Sequence, residues 1–445
     1  MRTVVWTALL AFASLVFLSP AQGQSSPDTL RIETAVEQAL RDNFQAQIAR
    51  NDLVLAENDR SVGNAGFLPS LSATAGYTET FENTTQQFIN QPEQEITGAK
   101  STRATAGAEL RWTLFDGLRR FATYERLGAE RDRQEANTRE RIEVVLADVI
   151  DVYHDVARQQ RQLGVLREAV QISQERLRIA RSRRDLGSAS DLEVRQARVD
   201  LNADSAEVLR QEVTLSNTKA ELNRLLGRTE ARTRFAVSDR IPLDTTLSYA
   251  SLQQAAEASS PALQQARQAL DAARAEQREV RADYFPSIDV FVGAGVSESE
   301  SEAGFVQSQT INDLRYGASL TFDVFDGFNR ERRRQNAAVR AENARLAVEA
   351  ARAQLSAALS SAFESYRNRI RLVQLERENL EAATANVDVA LEQFRLGTIT
   401  SVELREVQEQ RIQAESRLLT ARFEAKRAEI ELLRLSGQLH AHRGL

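Results

Sequence analysis

Few residues in this chain are placed to do chemistry. Its three histidines are His154, His440 and His442. The first stands among charged neighbours, which predicts a solvent-facing ring, and the other two lie in the C-terminal tail. No Ser/His/Asp arrangement, phosphate loop or metal-ligand spacing occurs. The chain has no cysteine, so it offers neither a thiolate metal site nor a disulfide. The expectation is a protein with no enzyme activity, no cofactor and no bound metal. The telling spacings are of another kind. Ser190-Asp191-Leu192-Glu193 and Thr400-Ser401-Val402-Glu403 have the Ser/Thr-x-x-Glu pattern of a capping box, in which hydroxyl and carboxylate each take a backbone N–H at a helix start. Each follows a Leu-Gly pair, Leu186-Gly187 or Leu396-Gly397, where glycine ends the preceding helix with φ > 0. Glu403 and Glu406 stand three apart, on one face of the helix that Thr400 starts.

The elements that carry these turns are long. Apolar residues step by three, four and seven along 119–186 and 329–396, as in Val145-Val149-Val152-Val156 and Leu355-Leu359-Phe363-Tyr366. Neither stretch contains proline, and about 68 residues of helix span ~100 Å. The 27% of charged residues reads as the solvated outside of such helices. With a net charge of −6 and no basic face, nucleic acid is not an expected partner.

The chain also repeats itself. Phe67-Leu68-Pro69-Ser70 recurs as Tyr284-Phe285-Pro286-Ser287 at an offset of 217, and Phe115-Asp116-Gly117 recurs as Phe325-Asp326-Gly327 at an offset of 210. The difference of seven falls between these markers, where the first copy has the longer insert. Each copy then reads as a short helix, a second helix (44–66, 261–283), a strand pair, a long helix and a return helix. Residues 1–23 read as a secretory signal, with Arg2 ahead of an apolar run and Ala21-Gln22-Gly23 as the cleavage site. The first repeat covers 24–227, with strands at about 70–81 and 102–115, the long helix 119–186 and the return helix 190–226. An equatorial linker, 228–246, loses the periodicity. The second repeat covers 247–437, with strands at about 287–297 and 313–325, the long helix 329–396 and the return helix 400–435. A tail covers 438–445.

The four strands alternate apolar and polar residues over runs near ten, with aromatics towards their ends, which fits outer-membrane strands. Glu82–Lys100 and Ser297–Asn312 read as exposed loops between them. Four strands are too few to close a barrel, so several chains must share one. The fold class is therefore mainly α with a small β part: duplicated long antiparallel coiled-coil helices plus four transmembrane β-strands per chain. The alternative is a periplasmic coiled-coil scaffold that conducts nothing. Such a scaffold would have no need of strands suited to lipid.

In the order and doubling of these markers the chain resembles the TolC family of outer-membrane channel proteins over nearly its whole mature length. The resemblance implies a homotrimer in the outer membrane of a Gram-negative bacterium, in contact with outer-membrane lipid. It implies a twelve-stranded barrel continued by a periplasmic α-barrel. It implies a passive exit duct for efflux or type I secretion, docked to a periplasmic adaptor and an inner-membrane pump. The turns at Leu186, Gly187 and Ser190, and at Leu396, Gly397 and Thr400, would then form the periplasmic tip that meets the adaptor. The family's pore-lining acids fall on Glu403 and Glu406, with Glu193 the matching acid of the first copy. The best-known members hold the closed tip with a Tyr and an Arg. Those positions carry Phe394 and Ile399 here, so closure would need other contacts.

Overall fold

The structure is a computed structural model that describes residues 29–439, apart from 88, 90, 91, 231, 232, 304 and 305. The expected leader and the histidines at 440 and 442 lie outside the described residues. The chain opens with β1 (Thr29–Leu30), α1 (Ile32–Asp42) and α2 (Phe44–Asp59), then β2 (Ser70–Gln86), β3 (Gln94–Phe115), α3 (Arg119–Asp185) and α4 (Asp191–Leu225). A second series follows: β4 (Ala236–Val237), α5 (Tyr249–Ser259), α6 (Pro261–Arg281), β5 (Ser287–Ser301), β6 (Ser308–Thr321), α7 (Asn329–Leu396) and α8 (Ser401–Leu435). A 3-10 turn, Ala282–Tyr284, joins α6 to its strand.

α3 and α7, of 67 and 68 residues, are each about 100 Å long. Towards the strands α3 lies between α2 and α6, and α7 packs on α6; towards the other end α3 lies between α4 and α8, and α7 packs on α8. α2 and α4 meet end to end. Asn43 breaks α1 from α2, its side-chain oxygen caps the Gln45 and Ala46 amides, and its Nδ2 donates to the Leu225 carbonyl at 2.7 Å. In the second copy Ser259 Oγ donates to the Ser436 carbonyl at 3.1 Å. The main core lies at this level. Val149, Ile150 and Val156 of α3 pack with Leu222, Leu226, Phe235, Val237 and Leu433. Residues 228–246 are therefore partly core: Val237 pairs with Leu30 in a two-residue parallel ladder against α3.

The four long strands form one sheet in the order β2-β3-β5-β6, all neighbours antiparallel. Register carries the sequence alternation across every strand. Leu71, Leu110, Val292 and Tyr316 form one row, and Ala73, Ala108, Ala294 and Leu314 the next. The other face carries the row Ser72, Glu109, Gly293 and Arg315. β6 stops at Thr321, four residues short of the expected end, because β5 begins at Ser287 opposite it and offers nothing further to pair with. At the far end the ladders run past the apolar rows. Thr84–Gln86 pair with Gln94–Ile96, and Ser297–Glu300 pair with Ser308–Ile311, so the polar segments read as loops are largely strand. α2 likewise ends at Asp59, and the chain turns through 61–66 before the strand.

The expected solvent-facing His154 is instead buried. It is 2% exposed, with neither ring nitrogen hydrogen-bonded, beside the buried pair Lys426 and Glu429. It lies near Lys426 of α8, and burial pushes its pKa down to about 3, with Lys426 adding to the effect. A charged sequence neighbourhood gave the wrong face because α3 is wrapped on both sides.

Candidate functional site

The duplicated motifs lie at two places, the strand-to-helix junctions and the tip turns. At the first junction Asp116 accepts from the Arg120 amide at 3.1 Å, and Arg120 Nη2 donates to the Thr113 carbonyl at 2.7 Å. The second is its twin: Asp326 accepts from the Arg330 amide at 2.8 Å, and Arg330 Nη2 donates to the Asp323 carbonyl. The guanidiniums also stack, Arg120 over Phe67 and Arg330 over Tyr284, each at 5.6 Å. Phe67, Tyr284 and the Phe-Asp-Gly motifs stand out in the sequence, whereas the arginines four residues after each aspartate do not stand out locally. Their offset of 210 was the available signal. Gly117 has φ +69°, and a Cβ there would lie 2.6 Å from the Ala282 carbonyl oxygen, so the motif needs glycine for both conformation and space.

At the tip, Gly187 and Gly397 hold φ of +76° and +79°. Ser188 N donates to the Arg183 carbonyl and Thr398 N to the Gln393 carbonyl, at 2.8 and 3.0 Å, the long bond of a Schellman turn in each copy. The caps differ. Thr400 and Glu403 form the full capping box. Thr400 N and Oγ1 donate to Glu403 Oε2 at 2.7 and 2.9 Å, and Glu403 N donates back to Thr400 Oγ1 at 3.2 Å. Those donors hold the Glu403 carboxyl below its ordinary range, the backbone amide first. At Ser190 only half the box forms: its hydroxyl accepts from Glu193 N at 3.3 Å, and no return bond from the Glu193 carboxylate is present.

Ser190, Glu193 and Thr400 come together on one groove of about 550 Å³ between the starts of α4 and α8. Leu186, Gly187, Leu396 and Gly397 stand outside it as exposed apices, and Glu403 and Glu406 are exposed beside it. The groove wall also holds residues that no sequence motif marks. Arg405 of α8 grips Asp204 of α4 with both terminal nitrogens, at 2.7 and 2.9 Å, and its Nε reaches Glu409 at 2.6 Å. Arg176 of α3 is buried, which lowers its pKa, and one nitrogen bridges Asp200 at 3.1 Å and the Ser401 hydroxyl at 3.1 Å. Arg183 stacks 4.5 Å over the Phe394 ring and donates to the Phe394 carbonyl at 2.7 Å. Phe394, read as the position of a missing polar lock, is thus held by an arginine from the other hairpin. Only Arg405 has a like residue at the internal offset, Arg195; Arg176, Arg183 and Asp204 correspond to Asn386, Gln393 and Ala414 in the other copy.

Another large groove, about 620 Å³ between α3, α7 and α8, has most of its charges already paired. Arg427 meets Asp151 at 3.0 Å and Arg369 meets Glu424 at 2.6 Å. Among the described residues no group of three His, Asp or Glu is arranged to hold a metal ion. No helix among them is long and apolar enough to cross a membrane, which leaves the sheet as the element to weigh against lipid.

The sequence pattern of outer membrane efflux proteins matches residues 35–228 and again 252–438. The chain belongs to the outer membrane efflux protein family. The double match falls on the two copies, and the family places the chain in the outer membrane. The chain is 24% identical over 457 residues to the outer membrane efflux protein BepC of Brucella suis, covering 99% of this chain and 93% of that one. It is 23% identical to the alkaline protease secretion protein AprF of Pseudomonas aeruginosa, over 65% of this chain and 60% of AprF. The fold matches the Campylobacter jejuni CmeC outer membrane channel with a TM-score of 0.73 at 14% identity, covering 92% of this chain and 86% of CmeC. The scaffold alternative gains no support from any of them.

Proposed function

We propose that three copies of this efflux-family chain close one twelve-stranded barrel over a periplasmic α-barrel. The assembly is a passive exit duct that a periplasmic adaptor and an inner-membrane pump engage. The observation that carries the proposal is the sheet itself. It has an apolar face across all four strands, on which Leu71 and Tyr316 remain 73% and 78% exposed, and its outer strands β2 and β6 each have an unpaired edge. A water-exposed sheet with long open edges would aggregate. Closing the ring and facing lipid removes both problems. The flanks of the helical part support the same ring. α4 leaves Val199, Leu209 and Val213 exposed, and α7 leaves Val339, Leu346 and Val389 exposed, so each flank can cover the next copy's.

In that ring the starts of α8 converge. Glu403 and Glu406 become rings of carboxylates that favour cations, with Glu193 as the outlying acid, and the exposed apices at Leu186, Gly187, Leu396 and Gly397 meet the adaptor. Ser190 and Thr400 shape those apices as caps. The Arg405–Asp204 and Arg183–Phe394 contacts hold the hairpins together while the duct is closed. Planar-bilayer conductance tests this reading. Glu403→Ala with Glu406→Ala should lower the preference for cations while leaving the channel assembled. Unaltered selectivity removes these acids from the pore.

A further inference from the structure

The strand-to-helix junctions break three local rules at one level of the molecule. Leu118 and Phe328, each directly after a glycine, hold φ of +69° and +64°, a conformation that is strained for a bulky side chain. Both are exposed, by 62% and 75%, and Val324 and Phe325 beside Phe328 and Phe121 beside Leu118 are exposed as well. The helices that follow begin with cations. α3 opens on Arg119-Arg120 with no acid in its first turn, and α7 carries Arg330, Arg332, Arg333 and Arg334 around the single Glu331. Positive charge at a helix N-terminus opposes the macrodipole. Several of these arginines are used within the chain: Arg333 meets Asp283 at 3.0 Å, Arg334 pairs with Glu331, and Arg119 pairs with Asp283. Arg332 meets no carboxylate among the described residues; its hydrogen bond goes to the Asn329 amide oxygen at 3.4 Å.

Water leaves the exposed apolar side chains unmatched, and a neutral apolar layer would leave the cations unmatched. A leaflet of anionic phospholipid answers both, since acyl chains take the apolar residues and phosphates take the cations. The level fits. Trp112 lies at the end of the apolar rows, its indole N–H donating to the Phe67 carbonyl at 3.0 Å, where an interfacial ring belongs. The opposite end of the sheet carries Lys100 and Arg103 among Glu79, Glu298, Glu300 and Glu302, so acids outnumber cations there and the run of arginines belongs to this rim.

We infer that Leu118, Phe121, Val324, Phe325 and Phe328 form a collar seated in the periplasmic leaflet, where Arg332 and its neighbours bind anionic phospholipid headgroups. The inference rests on the barrel reading, and the test separates the two. Because the chain lacks cysteine, Phe328→Cys, Leu71→Cys and Leu186→Cys each give one site for a spin label in the full-length protein reconstituted in phosphatidylethanolamine. Oxygen and a water-soluble nickel chelate then report accessibility. The Leu71 site should favour oxygen and the Leu186 site nickel; a Leu71 site that favours nickel sinks the barrel. With that control met, the Phe328 site should favour oxygen at a shallower depth than Leu71. Preference for nickel, or protection from both probes under a neighbouring copy, overturns the collar. In bilayers containing phosphatidylglycerol, the detergent-extracted protein should retain that lipid several-fold above its bulk ratio. Arg332→Gln should return retention towards the bulk ratio and Arg332→Lys should preserve it. Equal retention by all three proteins overturns the headgroup site.

Discussion

Arg405 and Asp204 form a charge-assisted pair across the groove, bound at both oxygens and largely shielded from water, with side chains 22% and 13% exposed. Such a pair contributes more than an exposed one, and removing one partner strands the other. Arg405→Ala should therefore loosen α8 from α4 at the cost of about 1–3 kcal/mol locally. In single-channel recordings it should raise the open probability; unchanged gating would assign the pair to stability alone. His154 gives a second test. Its folded pKa of about 3 lies below the unfolded value of about 6.5, so the unfolded chain takes up the proton first as pH falls. Its contribution is intact above about pH 6.5 and is lost progressively down to about pH 3, at ~1.4 kcal/mol per pH unit. His154→Leu should lose less stability than the parent between pH 7 and 5, by about 2 kcal/mol, in denaturant titrations at the two pH values. A parallel loss in both proteins would contradict the burial. Neither residue was legible in the sequence. The buried face of α3 is decided by what wraps it, and the Arg405–Asp204 pair joins positions that are not equivalent in the two copies.

At the scale of elements, the duplicated turns were legible because they depend on local chemistry. Gly187, Gly397, Thr400 and the Phe-Asp-Gly motifs act within a few residues of themselves, and the structure gives each a turn or cap. Element ends were less legible where the partner decides them. Thr321 ends β6 because Ser287 begins β5, and polar segments beyond the apolar rows stay paired because their neighbours do. The two kinds of glycine should behave differently. Gly187→Ala meets open space at φ +76° and should cost about 1 kcal/mol. Gly117→Ala adds a clash with the Ala282 backbone and the Phe285 Cβ and should cost more than about 2 kcal/mol. Thermal unfolding of the two variants checks the order; equal midpoints would contradict the close approach at Gly117.

At the scale of the whole molecule, a single chain leaves much apolar surface open. Its sheet is open at both edges, its apolar strand face is bare, and the flanks formed by α4 and α7 expose stripes of leucine and valine. α3, covered on both sides, buries far more of its surface than α7. The heptad pattern alone could not separate contacts within a chain from contacts between chains, because both use the same apolar spacing. Leu209→Glu with Val213→Glu on α4 should leave the helices folded by circular dichroism and yet prevent assembly, since charges would be buried between copies. The mass of the species extracted by detergent from the outer-membrane fraction tests the shared barrel most directly. A single species of three chains is expected; a monomer recovered from the soluble periplasm would contradict the shared barrel.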